Sequence, residues 1–485
     1  MVFWGQLWKP VLFPTAEYAI FFLIVFAVGW SLRRPLRLHH AVLLTASYVF
    51  YGFWDWHAVP LLFSISLVSA LVAQGLQRLT RPAARRALVA LGVTLALATL
   101  ALVKYLGFFA VGAVNLLTLL GVELTHLTLP EVMLPMGISF FTFHAISLMV
   151  DAYRGRIAVK VRVLDALLYV AFFPQLVAGP ILRASQFLPQ LTQPPDPNRI
   201  DASRAMELIV SGLIKKVLIA SFLATHLVDP AFDAPHLHSG LEALLAVYGY
   251  AAQIFCDFSG YTDLAMGSAL LLGYRFPENF RAPGLAESPR DFWHRWHLSL
   301  STWLRDYLFI PLGGSRGRPT RTIVNLGITM VLGGLWHGAA WTFVVWGALH
   351  GGALIAHRLW SGSALGAVQK LRSARAWPFI ARVLTFHFIC FGWVFFRAPS
   401  LAVAGELLVA ITSQWVVGAW LTPALAGVLG LGLLAQLTPP ESLSPIRLRL
   451  ARLPLPAQGL LMALIILCIE AAAPQGIAPF IYFRF

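Results

Sequence analysis

The chain has 485 residues, of which 58% are hydrophobic and only 12% charged, with a mean hydropathy of +0.74. A soluble protein of this length needs far more polar surface, so the composition excludes an ordinary soluble enzyme and predicts a multi-pass helical membrane protein, each crossing taking about 20 apolar residues. The 36 Lys and Arg against 21 Asp and Glu give a net charge of +15, yet most basic residues sit in short loops between apolar runs, which is membrane topology rather than nucleic-acid binding.

In chain order, apolar runs at 11–32, 41–56, 59–76 and 87–106 are separated by two arginine clusters. One holds Arg33, Arg34 and Arg37; the other holds Arg78, Arg81, Arg85 and Arg86. With both clusters cytoplasmic, the first span runs inward, the next two form a hairpin and the fourth leaves again, which places the amino terminus outside the cytoplasm. The first run lacks a small-residue cleavage pattern after Lys9 and reads as a retained span. The loop around Glu123, His126 and Glu131 has no Lys or Arg and is expected outside, and the run 134–150 returns to a basic loop at Arg154, Arg156, Lys160 and Arg162.

From 171 to 191 the apolar pattern carries Pro174, Gln175, Gly179, Pro180, Arg183 and Pro189, which predicts a re-entrant or broken helix. Lys215 and Lys216 interrupt the next run, 206–228, so its first half is expected at the interface. Runs at 241–255 and 261–272 flank a polar stretch containing Asp257, Ser259, Tyr261, Thr262 and Asp263, read as a break in which Asp257 orients a histidine or pairs with an arginine, while the hydroxyls equally suit helix packing. Further spans are expected at 323–335, 339–356, 383–396, 401–417, 419–437 and 458–473. The overall expectation is one all-α, polytopic domain over residues 1–485 with roughly 11–13 helices, some of them broken. Cys256, Cys390 and Cys468 are scattered and suggest neither a disulfide framework nor a metal cluster.

Two stretches carry chemistry. Residues 291–307, Asp-Phe-Trp-His-Arg-Trp-His-Leu-Ser-Leu-Ser-Thr-Trp-Leu-Arg-Asp-Tyr, placed on a helix at about 100° per residue, put Trp293, Trp296, Leu300, Trp303, Leu304 and Tyr307 on one stripe. His297 lies within that stripe and His294 at its edge. This predicts an amphipathic helix at the cytoplasmic boundary with His297 pointing into the protein, either as an active-site group or as a histidine that merely hydrogen-bonds a carbonyl. Asp291, His294 and His297 share a spacing of three, but such steps drift around a helix and no cysteine stands nearby, so no metal site is expected.

The second stretch is residues 332–341, Leu-Gly-Gly-Leu-Trp-His-Gly-Ala-Ala-Trp, which sets His337 inside a segment with no Asp, Glu, Lys or Arg between Arg321 and His357. Two hydrophobic spans are expected to meet near Gly333 and Gly334. On a helix from Arg321, His337 lies about 24 Å along the axis at about 1.5 Å per residue, inside the bilayer, where an ionisable side chain points first to function. An imidazole there can accept a proton as a general base, and the adjacent glycines allow close approach of a chain; a histidine that satisfies a neighbouring helix is the structural alternative. His350, His357 and His387 read as structural. The common soluble-enzyme motifs are absent.

The chain resembles the membrane-bound O-acyltransferase (MBOAT) family, and within it the bacterial alginate O-acetyltransferase branch. The matching motifs are Leu-Pro-Met-Gly-Ile-Ser-Phe (134–140), Phe-Pro-Gln-Leu-Val-Ala-Gly-Pro (173–180), Asp-Phe-Ser-Gly-Tyr-Thr-Asp (257–263), the 292–307 stretch, Pro-Leu-Gly-Gly-Ser-Arg (311–316) and Gly-Gly-Leu-Trp-His-Gly (333–338), with a family-like ending at 478–483. The motif-bearing core is about 130–360. The resemblance implies helices around a tunnel, a donor presented from the cytoplasm, acetyl-CoA as that donor, and an acceptor on an exported alginate-like polysaccharide or on a periplasmic partner that acetylates it. It implies the bacterial inner membrane as location, with the lipid bilayer, periplasmic acetylation proteins and polysaccharide synthesis machinery as partners. It matches His337 to the catalytic histidine and His297 to the second active-site position, whereas His294 stands where relatives carry arginine and receives no role. The polymer stays open among alginate, cellulose, peptidoglycan or another glycan. On the residues alone, a transporter or channel and a metal-dependent intramembrane hydrolase are the rivals.

Overall fold

The computed structural model describes residues 13–122, 134–177, 179–362, 371–416, 421–472 and 478–483. The loop around Glu123, His126 and Glu131 lies outside the described residues. Every regular element among the described residues is helical. The chain groups into two compact units, one of residues 1–201 and 268–276, the other of 202–267 and 277–485.

In the first unit, α1 (Ala16–Ser31), α2 (Leu36–Asp55), α3 (Val59–Arg78), α4 (Pro82–Leu119) and α5 (Ile138–Tyr153) follow the expected runs, and α6 (Val163–Ala171) is a helix outside those runs. Asp55, the last residue of α2, is in extended backbone with its carboxylate accepting from the His57 amide, and the short turn Trp56–Ala58 leads from it into α3. The proline-rich stretch after α6 is broken as expected, into the short turns Phe173–Leu176, Ala184–Phe187 and Leu188–Thr192. That irregular backbone is acceptable in an apolar setting because it is buried in protein, with Phe172, Phe173, Gln175 and Phe187 all fully enclosed. His40 and Asp165 form a buried pair at 2.8 Å that ties α2 to α6.

In the second unit, α7 (Ala202–Asp233) and α8 (Gly240–Leu271) are long helices, and α8 corrects one expectation: the polar stretch 257–263 does not break it. The reason is mutual neutralisation: Lys215 pairs with Asp263 and Lys216 with Asp257, so charges on each helix answer those on the other. Ser211 donates to Asp263 at 3.1 Å, and with the side chains partnered the backbone is free to stay helical. Asp257 thus pairs with a lysine, not with a histidine or an arginine.

The 289–309 stretch departs from the single amphipathic helix expected of it. It folds as α9 (Pro289–Trp293), a turn through residues 294–297, and α10 (Leu298–Leu304). The remaining helices are α11 (Pro319–His337), α12 (Trp341–Ser361), α13 (Trp377–Arg397), α14 (Leu401–Ile411), α15 (Pro423–Ala435) and α16 (Leu455–Ala472). Leu36–Arg78, Pro82–Leu119, Ala202–Asp233, Gly240–Leu271 and Trp377–Arg397 are long and apolar enough to cross a membrane. α11 and α12 fall outside that set, and α11 runs through Gly333 and Gly334 to end at His337, three residues beyond the expected meeting point.

The glycines serve the packing of α11 on α12. A Cβ on Gly334 would collide with the Phe343 carbonyl and lie 3.1 Å from the Gly347 Cα; one on Gly347 would sit 2.5 Å from the Met330 carbonyl oxygen. Backbone therefore meets backbone at this crossing, which no larger residue permits. Gly347→Leu is expected to lower stability by at least about 1–3 kcal/mol, the cost of overpacking, whereas Gly352→Leu, with open space around its Cα, is expected to be neutral. Thermal unfolding of the two purified variants checks this.

Candidate active site

The site is built in the second unit from the end of α11, the turn before α10, the middle of α8 and residues 478–482. His337, 5% exposed, is the last residue of α11. Its ring is surrounded by aromatic rings, with centroids at 4.9 Å for Trp336, 5.0 Å for Phe396, 5.1 Å for Trp346 and 5.5 Å for Tyr482. Gly338, immediately after, lies flat against the Phe343 ring, and any side chain there would displace that ring.

His297 is completely buried and caps α10 in left-handed backbone, φ 43° and ψ 56°. A non-glycine residue holds that conformation only where its surroundings over-determine it. Here they do: the Leu298 amide donates to the Asn279 carbonyl at 2.9 Å, and the Ser299 amide and hydroxyl both donate to the Asn279 side-chain oxygen, at 3.1 and 2.9 Å. On the other side Ser301 donates to the carbonyls of His297 and Trp293. The left-handed residue turns the His297 ring toward Phe258, 4.5 Å away edge to face, and Trp336, 6.1 Å away. Neither ring nitrogen of His297 has a hydrogen-bond partner among the described residues. Burial holds its imidazole below the ordinary value, so the ring is neutral at pH 7.

The two sequence-derived site residues thus flank one ring. Trp336 packs on both His297 and His337, and Phe258 and Tyr482, 5.1 Å apart, complete the same aromatic cluster. A neutral imidazole offers one N–H donor and one lone-pair acceptor, so such a site can both accept a proton and donate to an oxyanion. Asp291 does not join them. Its carboxylate accepts from Arg295 at 3.0 Å and from the Glu287 amide at 3.1 Å, and among the described residues no three His, Cys, Asp or Glu side chains converge as a metal set.

Reading the sequence residue by residue missed Phe258, Trp346, Phe396 and Tyr482, which pack around the two histidines. For Tyr482 the only signal was the family-like stretch at 478–483. His350, read as structural, is fully buried beneath Trp346, centroids 4.5 Å apart, and belongs to the same aromatic layer. Near this cluster, a largely apolar cleft of about 480 Å³ is lined by Met206, Val210, Phe255, Ser259, Met266 and Asn279, among others. Asn279 links it to the His297 turn.

The match to the membrane-bound O-acyltransferase family extends over residues 152–398. The probable alginate O-acetylase AlgI of Azotobacter vinelandii is 39% identical, aligned over 83% of this chain and 78% of its own length. The peptidoglycan O-acetyltransferase of Helicobacter pylori is 34% identical over 82% of this chain and 79% of its own. The teichoic acid D-alanyltransferase of Bacillus subtilis is 31% identical over 54% and 68%.

Asn279→Leu removes the acceptor of two buried donors on Ser299 and is expected to lower stability by about 1–3 kcal/mol. Thermal unfolding of the purified variant, beside the parent protein, measures the loss.

Proposed function

This chain belongs to the membrane-bound O-acyltransferase (MBOAT) family and is an O-acyltransferase, and from that premise we propose that it moves an acetyl group from cytoplasmic acetyl-CoA to a hydroxyl of an exported, alginate-like polysaccharide. The acceptor is reached directly or through a periplasmic partner that completes the acetylation. The protein lies in the inner membrane with its amino terminus in the periplasm, beside the polysaccharide synthesis machinery. The observation that carries the reading is the aromatic cluster in which Trp336 packs between two buried imidazoles, His297 and His337.

In this reaction the acceptor oxygen attacks the thioester carbonyl, a C–O bond forms and the C–S bond breaks. His337 takes the proton of the attacking hydroxyl and returns it to the departing thiolate. His297, neutral and with both nitrogens uncommitted among the described residues, donates its N–H to the carbonyl oxygen as negative charge develops there. The surrounding aromatic rings keep water from intercepting the acetyl group. The donor arm occupies the neighbouring cleft, whose volume of about 480 Å³ falls in the usual range of about 300–1,000 Å³ for small-molecule sites. A second reading, acetylation of another envelope polymer such as peptidoglycan, rests on the Helicobacter pylori relative and uses the same chemistry.

His337→Ala is expected to lower acetyl transfer by about 10²–10⁴-fold, the usual worth of an acid–base group, and His297→Ala by about 10²–10³-fold, the worth of an oxyanion donor. Acetyl content of the exported polymer, measured at equal protein level in the membrane, checks both. Unchanged acetylation in the His337 variant would refute the reading.

A further inference from the structure

Lys216 and Asp257, at 1% and 2% exposure, are among the described residues the most deeply enclosed ion pair of the second unit, and the chemistry of the site does not use them directly. A buried ammonium is tolerated only when its three donors are matched. Lys216 donates to the Asp257 carboxylate, to the Ala478 carbonyl at 2.6 Å and to the Pro479 carbonyl at 3.4 Å. The other Asp257 oxygen accepts from the Ile481 amide at 2.8 Å. Ser221 extends the arrangement, accepting from the Ala478 amide at 3.2 Å while donating to the Lys216 carbonyl at 3.0 Å. Cation and anion each hold a complementary backbone group of one short segment, carbonyls on the lysine and an amide on the aspartate.

That segment packs against the aromatic cluster that holds the two histidines. Between the anchored backbone groups Phe480 packs on Tyr261, 4.2 Å between centroids, and directly after them Tyr482 meets Phe258, Trp336 and His337. An ion pair alone would stabilise α7 against α8. Its polarity relative to the segment does something more, since only the observed orientation matches both carbonyls and amide.

We propose that Lys216 and Asp257 are positioning residues for acetyl transfer, acting through residues 478–482 to fix the Tyr482 ring against His337 and Trp336. The inference rests on the reading of His337 as the proton acceptor. It differs from a purely structural role in one respect, the direction of the ion pair. The exchanged double variant Lys216→Asp with Asp257→Lys keeps a pair between α7 and α8, yet turns a carboxylate toward two carbonyls and an ammonium toward an amide.

The test measures acetyl transfer from acetyl-CoA by the full chain purified in detergent, together with its thermal unfolding. The exchanged variant, its buried pair now mismatched to the segment, is expected to unfold at a lower temperature than the parent yet stay folded at the assay temperature, with kcat at least about tenfold lower and KM for acetyl-CoA unchanged. Parent kcat in the folded exchanged variant overturns the proposal. Should the exchanged variant not fold, Ser221→Ala decides: it leaves the ion pair intact, and the proposal requires kcat to fall severalfold in a folded protein, full kcat overturning it. His337→Ala, run alongside, separates the two ideas, because transfer surviving there refutes the assignment of His337 rather than the anchoring role.

Discussion

The backbone contact between α11 and α12 at Gly334 and Gly347 is the constraint from which the placing of the site follows. With no side chain between the helices, α11 can run to His337 against α12 and deliver the imidazole to Trp346, a residue of the facing helix. Gly338, in extended backbone, then lets the chain pass close against the Phe343 ring, where a Cβ would collide. A histidine one turn earlier on α11, at Gly333 or Gly334, would meet Leu304 or the backbone of Phe343 and Gly347 instead of the aromatic layer. Glycine spacing, helix crossing and imidazole position are therefore one feature seen at three scales.

Around that contact the second unit solves a repeated problem, how to keep polar groups in an apolar interior. Charges are handled by pairing, as in Lys215 with Asp263, Lys216 with Asp257, and Arg397 with Asp229 at 2.7 Å. Backbone irregularity is handled by a single amide side chain, Asn279, which satisfies the donors exposed where α10 begins. The imidazole of His297 is treated otherwise. It is enclosed by Phe258 and Trp336 with no partner among the described residues, an arrangement that leaves its hydrogen-bonding capacity for a reacting group.

Much of this was legible in the sequence because hydrophobic runs and basic loops report the membrane directly. Helices α1 to α5 of the first unit and the broken stretch after Ala171 follow from apolar length and proline placement. Both histidines stand out because they are rare ionisable groups in apolar or aromatic surroundings. What the sequence hid was long-range compensation. Lys215, Lys216, Asp257 and Asp263 each look like a defect in a span when read locally, and only the pairing of α7 with α8 turns them into helix-compatible residues. Likewise helical periodicity cannot foresee the left-handed backbone at His297, because the bonds that enforce it come from Asn279, remote in sequence from the turn's own helical pattern. Tyr482 reaches His337 only through tertiary anchoring, which no local window contains.

The central claim, that His337 takes the proton of an acceptor hydroxyl during acetyl transfer, is tested most directly by single-turnover transfer from radiolabelled acetyl-CoA to a soluble polysaccharide fragment, using the purified protein in lipid vesicles. The account predicts labelled ester from the parent protein and none above background from His337→Gln, with both proteins equally folded. Labelled ester formed at the parent rate by the variant would contradict it.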